Sequence, residues 1–308
     1  MIDRFFIITV DTEGDNLWDR SKSLTTDNAR YLCRFQTLCE KFSFYPTYLT
    51  NYEMAQSPDF QDLAQDVIRR NTAEIGMHLH AWNSPPAFDL TENDNFHHPY
   101  LIEYPSDVMA QKIDYMTNLL EDLFGQKMVS HRAGRWSFDE QYADMLIKHG
   151  YKVDCSVTPH QSWREIKGDP NKNGGTDYSK FPEEAYFLNL EDIGKKGNSS
   201  LLELPVTIMK NDQNRLCWLR PMKNNLQDML YVIDTAIKQN RLYLEFMIHS
   251  SELMPAGSPT FPSNEDIESL YEMLNVIFDK IRQYGFKGST LQSFADYFIR
   301  KGQPHDSL

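Results

Sequence analysis

The 308-residue sequence has only four cysteines, Cys33, Cys39, Cys155 and Cys217, and none of them are spaced as CxxC. That argues against a zinc ribbon, a thioredoxin-like redox motif or a disulfide-stapled scaffold. Cys33 and Cys39 share one helical pattern and read as small buried residues. Long apolar runs are missing too, since no stretch approaches the roughly 18–20 residues needed to span a bilayer. Residues 1–10, MIDRFFIITV, carry Asp3 and Arg4 and pass into a strand-like segment without a small-residue cleavage site. No secretory leader is expected there. Positive charge is scarce: 31 Lys and Arg stand against 44 Asp and Glu, a formal net charge of −13. This gives a phosphate backbone little to bind, so no nucleic-acid partner is expected. There is no internal repeat, low-complexity segment or Pro/Gly/Ser linker. The expectation is one domain over residues 1–308, cytoplasmic, with reduced thiols; an oligomer is possible.

The composition is that of an ordinary globular chain, 41% hydrophobic and 24% charged. Strand-like and helix-like stretches alternate along it. FFIITV (5–10) is a continuous, β-branched-rich run suited to a strand covered on both faces. Further strands are expected at 45–50, 73–80, 128–134, 153–157, 201–209, 242–250 and just after 286. Helices are expected at 25–42, 57–70 with Ser57 as N-cap, 107–125 closed by Gly125, 138–149 behind a Ser137/Glu140 capping box, 224–239 and 264–285. A helix closes the pattern near residue 300. The alternation predicts an α/β fold, a distorted parallel (β/α)7–8 barrel.

In such barrels functional side chains gather at the C-terminal ends of the strands. The first strand ends in Asp11-Thr12-Glu13, the third in His78-Leu79-His80, the next in His131, Arg132 and Arg135, and the 242–250 strand in His249-Ser250. One ionisable strand end is unremarkable, but four at equivalent positions point to a site. Residues i and i+2 of a strand project from one face, their Cα atoms roughly 6.5–7 Å apart. Both members of Asp-x-Glu and of His-x-His can therefore converge. Glu13, His78 and His80 would supply three nitrogen and oxygen ligands to a divalent metal, Zn²⁺ by preference, leaving a position for water. Asp11 would take a proton, His249 would give one, and Arg132 would hold Asp11 ionised.

Other polar clusters carry less. His97-His98 reads as a solvated turn feature and Lys195-Lys196 as a surface turn, while Asp15 and Asp19 are candidate substrate contacts. Trp18, Trp82, Trp136, Trp163 and Trp218 include three beside proposed site residues, and aromatic walls suit sugar rings. Trp82, Trp136 and Arg135 are the substrate-binding candidates.

The order TVDTEGD, EIGMHLHAW, HRAGRWSFD and LEFMIHSSELMP, spread over residues 9–255, resembles the polysaccharide deacetylase (NodB-homology) family. FKGSTLQSFADYF resembles its closing strand and helix. HLHAWNSPP, HRAGRWSFD and HSSELMP look most like a subgroup linked with surface-polysaccharide biosynthesis. The resemblance implies a distorted β/α barrel that removes N- or O-acetyl groups from sugars with a divalent metal, usually zinc. Asp11 matches the first Asp of the family's Thr-Phe-Asp-Asp motif, the base. Thr12 stands where the second Asp, a ligand, would be, which leaves Glu13 as the ligand. His78 matches the first His of His-[Ser/Thr]-x-x-His, and Trp82 stands at the second, which leaves His80 as substitute. Arg132 fits the arginine motif, and His249 the general acid. The expected substrate is a cytoplasmic nucleotide- or lipid-linked saccharide. The alternatives are a metal-independent amide hydrolase on the same fold and a non-catalytic glycan-binding protein.

Overall fold

The structure, a computed structural model, describes residues 3–17 and 22–302. The apolar run near the N-terminus forms β1 (Phe5–Thr12), and α1 (Leu32–Lys41) follows it behind a short 3₁₀ turn. Next come β2 (Thr47–Thr50), α2 (Tyr52–Ala55), α3 (Pro58–Arg70) and β3 (Glu74–Leu79). The long loop beyond β3 contains α4 (Asp94–His97) and leads to α5 (Ser106–Phe124), β4 (Ser130–Ala133), α6 (Glu140–Lys148) and β5 (Val153–Asp154). Short strands β6 (Tyr186–Phe187), β7 (Leu202–Glu203), β8 (Ile208–Lys210) and β9 (Leu216–Trp218) precede α7 (Leu226–Lys238). The chain closes with β10 (Tyr243–His249), α8 (Asn264–Gln283), β11 (Lys287–Ser289) and α9 (Leu291–Gly302).

The main sheet runs β10-β1-β2-β3-β4-β5-β7-β6, with β11 paired to the N-terminal half of β1. The parallel barrel read from the sequence needs correcting at one edge. The sheet is mixed and open, curled into a half-barrel, because β6 runs antiparallel to β7. The stretch joining them is a turn-rich return with one bridge at Leu188–Lys196. Such a return suffices for an antiparallel pair, whereas a parallel one needs a crossover. The expected strand at 201–209 is also split. Pro205 offers no N–H to a ladder, so residues 202–203 join the main sheet while 208–210 pair with β9. Across the remaining gap, Thr207 N donates to Glu245 O at 3.3 Å and Met247 N to Leu219 O at 3.3 Å.

Alternation along β1 organises the interior. Phe6, Ile8 and Val10 face outward into the core under the helices, where Phe278 of α8 meets Phe6 at a ring separation of 5.7 Å. The inward positions change character along the strand. Ile7, with Leu49, Val153, Leu202 and Tyr243, packs against Leu291, Phe294 and Ala295 of α9, which plugs the N-terminal end. Above this apolar floor come Thr9 and Asp11, then Glu13 beyond the strand. The polar side chains thus sit over a floor that keeps water out from below.

Helix ends bear out the expectations at Ser57 and Gly125 and correct another. Ser57 does occupy the N-cap of α3, but its side chain makes no capping bond. The cap of α6 is Asp139, which accepts from Tyr142 N, and no Ser137/Glu140 box forms. Ser137 instead turns its hydroxyl to Thr176, 3.3 Å away. Gly125 ends α5 in the left-handed conformation, as predicted. Cys39 is buried, but Cys33 is exposed, since six residues turn a helix by about 240°. All four cysteines are free, and among the described residues no helix is long and apolar enough to cross a membrane.

Candidate metal centre and surrounding pocket

Register brings the polar strand ends together. Asp11 lies opposite His249 on β10, and His78 opposite Arg132 on β4. Arg132 is buried behind the side chains of Asp11, His78 and His249, which open into a cavity of about 360 Å³. Its walls include Glu13, His80, Trp82, Arg135 and Trp136.

Glu13, His78 and His80 are buried and close enough together to hold a divalent metal ion. Glu13 Oε2 lies 3.6 Å from His78 Nε2 and 3.4 Å from His80 Nε2. Both contacts are long for an N–H···O hydrogen bond. A tetrahedral ion with bonds of roughly 2.1 Å would set its ligand atoms roughly 3.4 Å apart, which these spacings match. The tautomers agree with that use. His78 Nδ1 is 2.9 Å from the Arg132 carbonyl, which can only accept, so Nδ1 carries a proton and Nε2 is the nitrogen that faces the cluster. Against the ring's burial, Asp11 and Glu13 raise it above an ordinary imidazole, and a bound ion would take the place of the Nε2 proton. His80 is fully buried, and burial together with the charges of His78 and His98 presses it well below an ordinary imidazole. It is neutral, as a ligand must be.

Asp11 and His249 stand beside this cluster. Arg132, wholly buried, donates from Nη1 to Asp11 Oδ1 at 2.5 Å, from Nη2 to Glu245 Oε1 at 2.6 Å and from Nε to Cys155 O at 3.0 Å. Burial alone would raise the Asp11 carboxyl, but Arg132, with His78 and His249, outweighs it and holds the group below its ordinary range. The other Asp11 oxygen, Oδ2, is 3.8 Å from His249 Nε2, which is also 3.8 Å from Glu13 Oε1. At the far side of that ring Arg220 Nη2 approaches Nδ1 at 3.1 Å. Glu252 Oε2, which can only accept, lies 3.3 Å from the same nitrogen, so Nδ1 faces a donor and an acceptor while Nε2 faces the cluster. Glu252 pairs with Arg220 at 2.9 Å and accepts from His249 N at 3.0 Å.

No protein-family model matches the chain, and no curated protein does. Solved structures do match in shape. A polysaccharide deacetylase candidate from Mycobacterium smegmatis superposes with a TM-score of 0.57 at 12% identity, over 100% of this chain and 95% of that one. Another candidate deacetylase, from Pseudomonas aeruginosa PAO1, gives 0.53 at 13% identity, over 97% and 91%. The Puue allantoinase gives 0.57 at 12% identity, over 97% and 91%. The fold is shared with polysaccharide deacetylases. At such identities the likeness is one of fold, and an allantoinase carries the same fold, so chemistry has to be argued from the side chains.

The other substrate-binding candidates sit in the pocket wall with much of their surface engaged. Trp82 stacks on the rings of His80 and His98, each at 4.4 Å. Trp136 lies under the Arg132 guanidinium at 4.8 Å and against Trp218. Arg135 and Trp136 both take positive φ, 54° and 65°, in the turn that ends β4. Arg135 donates to the carbonyls of His98 and Lys167 and covers the Tyr100 ring at 4.2 Å, tying two loops together. His98, read from sequence as a solvated turn feature, lines the pocket, as do Tyr100, Trp163, Ile166 and Arg220. Asp15 turns away from it and pairs with Thr25, while Asp19 and Trp18 lie outside the described residues. His131 also leaves the site: it points to the opposite face of β4 from Arg132 and bonds Asp154 and Tyr142. Arg220 and Glu252 went unread. Glu252 had a signal, the acidic residue three past His249, but Arg220 arrives from the β9–α7 loop with none.

Proposed function

We propose that the protein is a metal-dependent carbohydrate deacetylase, a hydrolase that removes N- or O-acetyl groups from a saccharide precursor in surface-polysaccharide biosynthesis. The observation that carries this reading is the pairing of an arginine-held carboxylate with a histidine whose Nε2 faces it, beside a three-ligand cluster. Binding alone has no use for a base and an acid 3.8 Å apart. Asp11 would take the proton from the attacking water through Oδ2, and Arg132 keeps it ionised and aimed. His249 would deliver its Nε2 proton to the leaving amine or alkoxide. A bound ion, Zn²⁺ for this nitrogen and oxygen donor set, would polarise the acyl carbonyl and acidify the water. Trp82 and Trp136 have partners on their rings, so the sugar would meet their edges and Arg135, with Trp163 as its stacking platform. The four free thiols support a reducing, cytoplasmic setting and a nucleotide- or lipid-linked substrate. Residues 1–308 would form a single domain.

Acetate release from N-acetylglucosamine oligosaccharides and from a nucleotide-linked N-acetylhexosamine tests the proposal, before and after removal of metal and re-addition of Zn²⁺. Asp11→Asn is expected to lower kcat by roughly 10²–10⁴-fold with metal content unchanged. Full activity in metal-free protein would favour the amide-hydrolase alternative. Glycan bound without acetate release by the wild type would reject an enzyme.

A further inference from the structure

Glu53 touches the site only through its neighbours, yet it joins the two segments that carry all three candidate ligands. It sits in α2, immediately after β2, the strand between β1 and β3. Its Oε1 accepts from Gly14 N at 3.1 Å and from Asn51 Nδ2 at 2.5 Å, and its Oε2 accepts from Asn83 Nδ2 at 2.8 Å. Gly14 is the residue after Glu13. Asn83 is three past His80, and the next residue, Ser84, bonds back through its N–H to the His80 carbonyl at 3.2 Å. Sideways relief is closed at Gly14, where even a Cβ would come within 2.7 Å of the Leu24 side chain and 2.8 Å of Thr25 O. Elsewhere Glu13 is held on its backbone: Ser250 Oγ accepts from its N–H and donates to its carbonyl, and Asn28 donates to the same carbonyl. No bond of that set reaches the His80 segment. Glu53 does.

We infer that Glu53 is a positioning residue that sets the separation of Glu13 from His80 and so the affinity of the site for a divalent ion. The inference rests on reading Glu13, His78 and His80 as metal ligands. Its chemistry requires a carboxylate. The three groups converging on it are all donors, and a carboxylate only accepts. Glutamine has the same size but keeps one acceptor oxygen in place of two, and its NH₂ would meet the Asn83 amide, which would have to turn over to accept from it. The change is one of charge and polarity rather than volume. β2 supplies no ligand itself, and its following helix acts as the brace between its two neighbours.

The test uses the full-length protein stripped of metal by chelation, with Zn²⁺ affinity measured by competition against a chromophoric chelator and melting followed without metal. Outer partners of ligands typically matter by 10–100-fold in metal affinity. Glu53→Gln is expected to weaken Zn²⁺ binding within that range while the metal-free melting temperature moves by only a few degrees. Asn83→Ala removes only the His80-side arm and is expected to weaken binding in the same direction but less. Wild-type protein that binds one Zn²⁺, with both variants binding equally well, overturns the inference and leaves the metal site standing. A Glu53→Gln that only lowers the metal-free melting temperature overturns it as well. Should that variant fail to fold, unchanged affinity in Asn83→Ala overturns it. Wild-type protein without Zn²⁺ affinity removes the metal reading and this inference together.

Discussion

Glu203 shows how a single proton is fixed in the interior behind the site. Its Oε1 accepts from Val157 N at 3.0 Å, and its Oε2 is buried without a conventional partner. Burial, and then the neighbouring Asp154 carboxylate, press Glu203 well above the ordinary carboxyl range. Asp154 goes the other way: against its burial, the hydrogen bond from His131 holds it low. The pair therefore shares one proton, on Glu203 Oε2 and donated to Asp154. The sign of the pH effect follows. Above about pH 4.3 the unfolded chain releases this proton while the native chain keeps it, so stability falls as pH rises. The loss stops where the native group itself ionises. Glu203→Gln keeps an N–H donor for Asp154 and an oxygen for Val157 N, and removes the titration. Between pH 5 and 8 the wild-type urea midpoint is expected to drop relative to that of the variant. Midpoints that stay parallel across this range would reject the assignment of the proton.

At the scale of the elements, what could be read was whatever periodicity encodes. The continuous apolar run of β1, the helical stripes of α5 and α8 and the histidine pair ending β3 each follow from local spacing, and the structure places them at or near the expected residues. His80 shares a face with His78 because two residues return a strand to the same side. The sequence was silent where long-range packing decides. Arg220 reaches His249 from a loop 29 positions earlier, and His98 swings onto Trp82 through a left-handed backbone that no spacing rule marks. The edge strand β6 was hidden because two residues carry no period. Gly134 belongs to the same class. A Cβ there would stand 2.4 Å from Leu79 O and 2.5 Å from the His80 ring, so the end of β4 can approach β3 only as glycine. Gly134→Ala is expected to cost about 1–3 kcal/mol of stability, as overpacking does. It should also displace His80 and weaken Zn²⁺ binding by at least about tenfold, since a ligand's orientation is set by what packs behind it. Titration of the metal-free variant checks this; wild-type affinity would mean that the strands yield without moving the ring.

For the molecule as a whole, the order of strands binds the two ends of the chain into one sheet. β1 pairs with β10 on one edge and with β11 and β2 on the other, so the first strand is completed only by residues beyond 240. The closing helix α9 fills the bottom of the same interior, with Phe294 against Phe5 at 5.5 Å and Leu291 N donating to Thr47 Oγ1 at 3.1 Å. Ile7 and Leu49, inward residues of the N-terminal half, are buried against that helix. Unfolding is therefore expected to be one cooperative transition, the same by far-ultraviolet circular dichroism and by tryptophan fluorescence. The candidate ligands belong to this unit, since Glu13 and the histidine pair hang from β1 and β3, which are joined only through β2. An ion held there binds the folded chain and not the unfolded one. Zn²⁺ at 100 times its dissociation constant should then stabilise the protein by about 2.7 kcal/mol and shift the whole transition upward. In His80→Ala the shift should vanish. A metal effect confined to one of two separate transitions would mean that the site and the floor beneath it fold apart, contrary to the interlocked strand order.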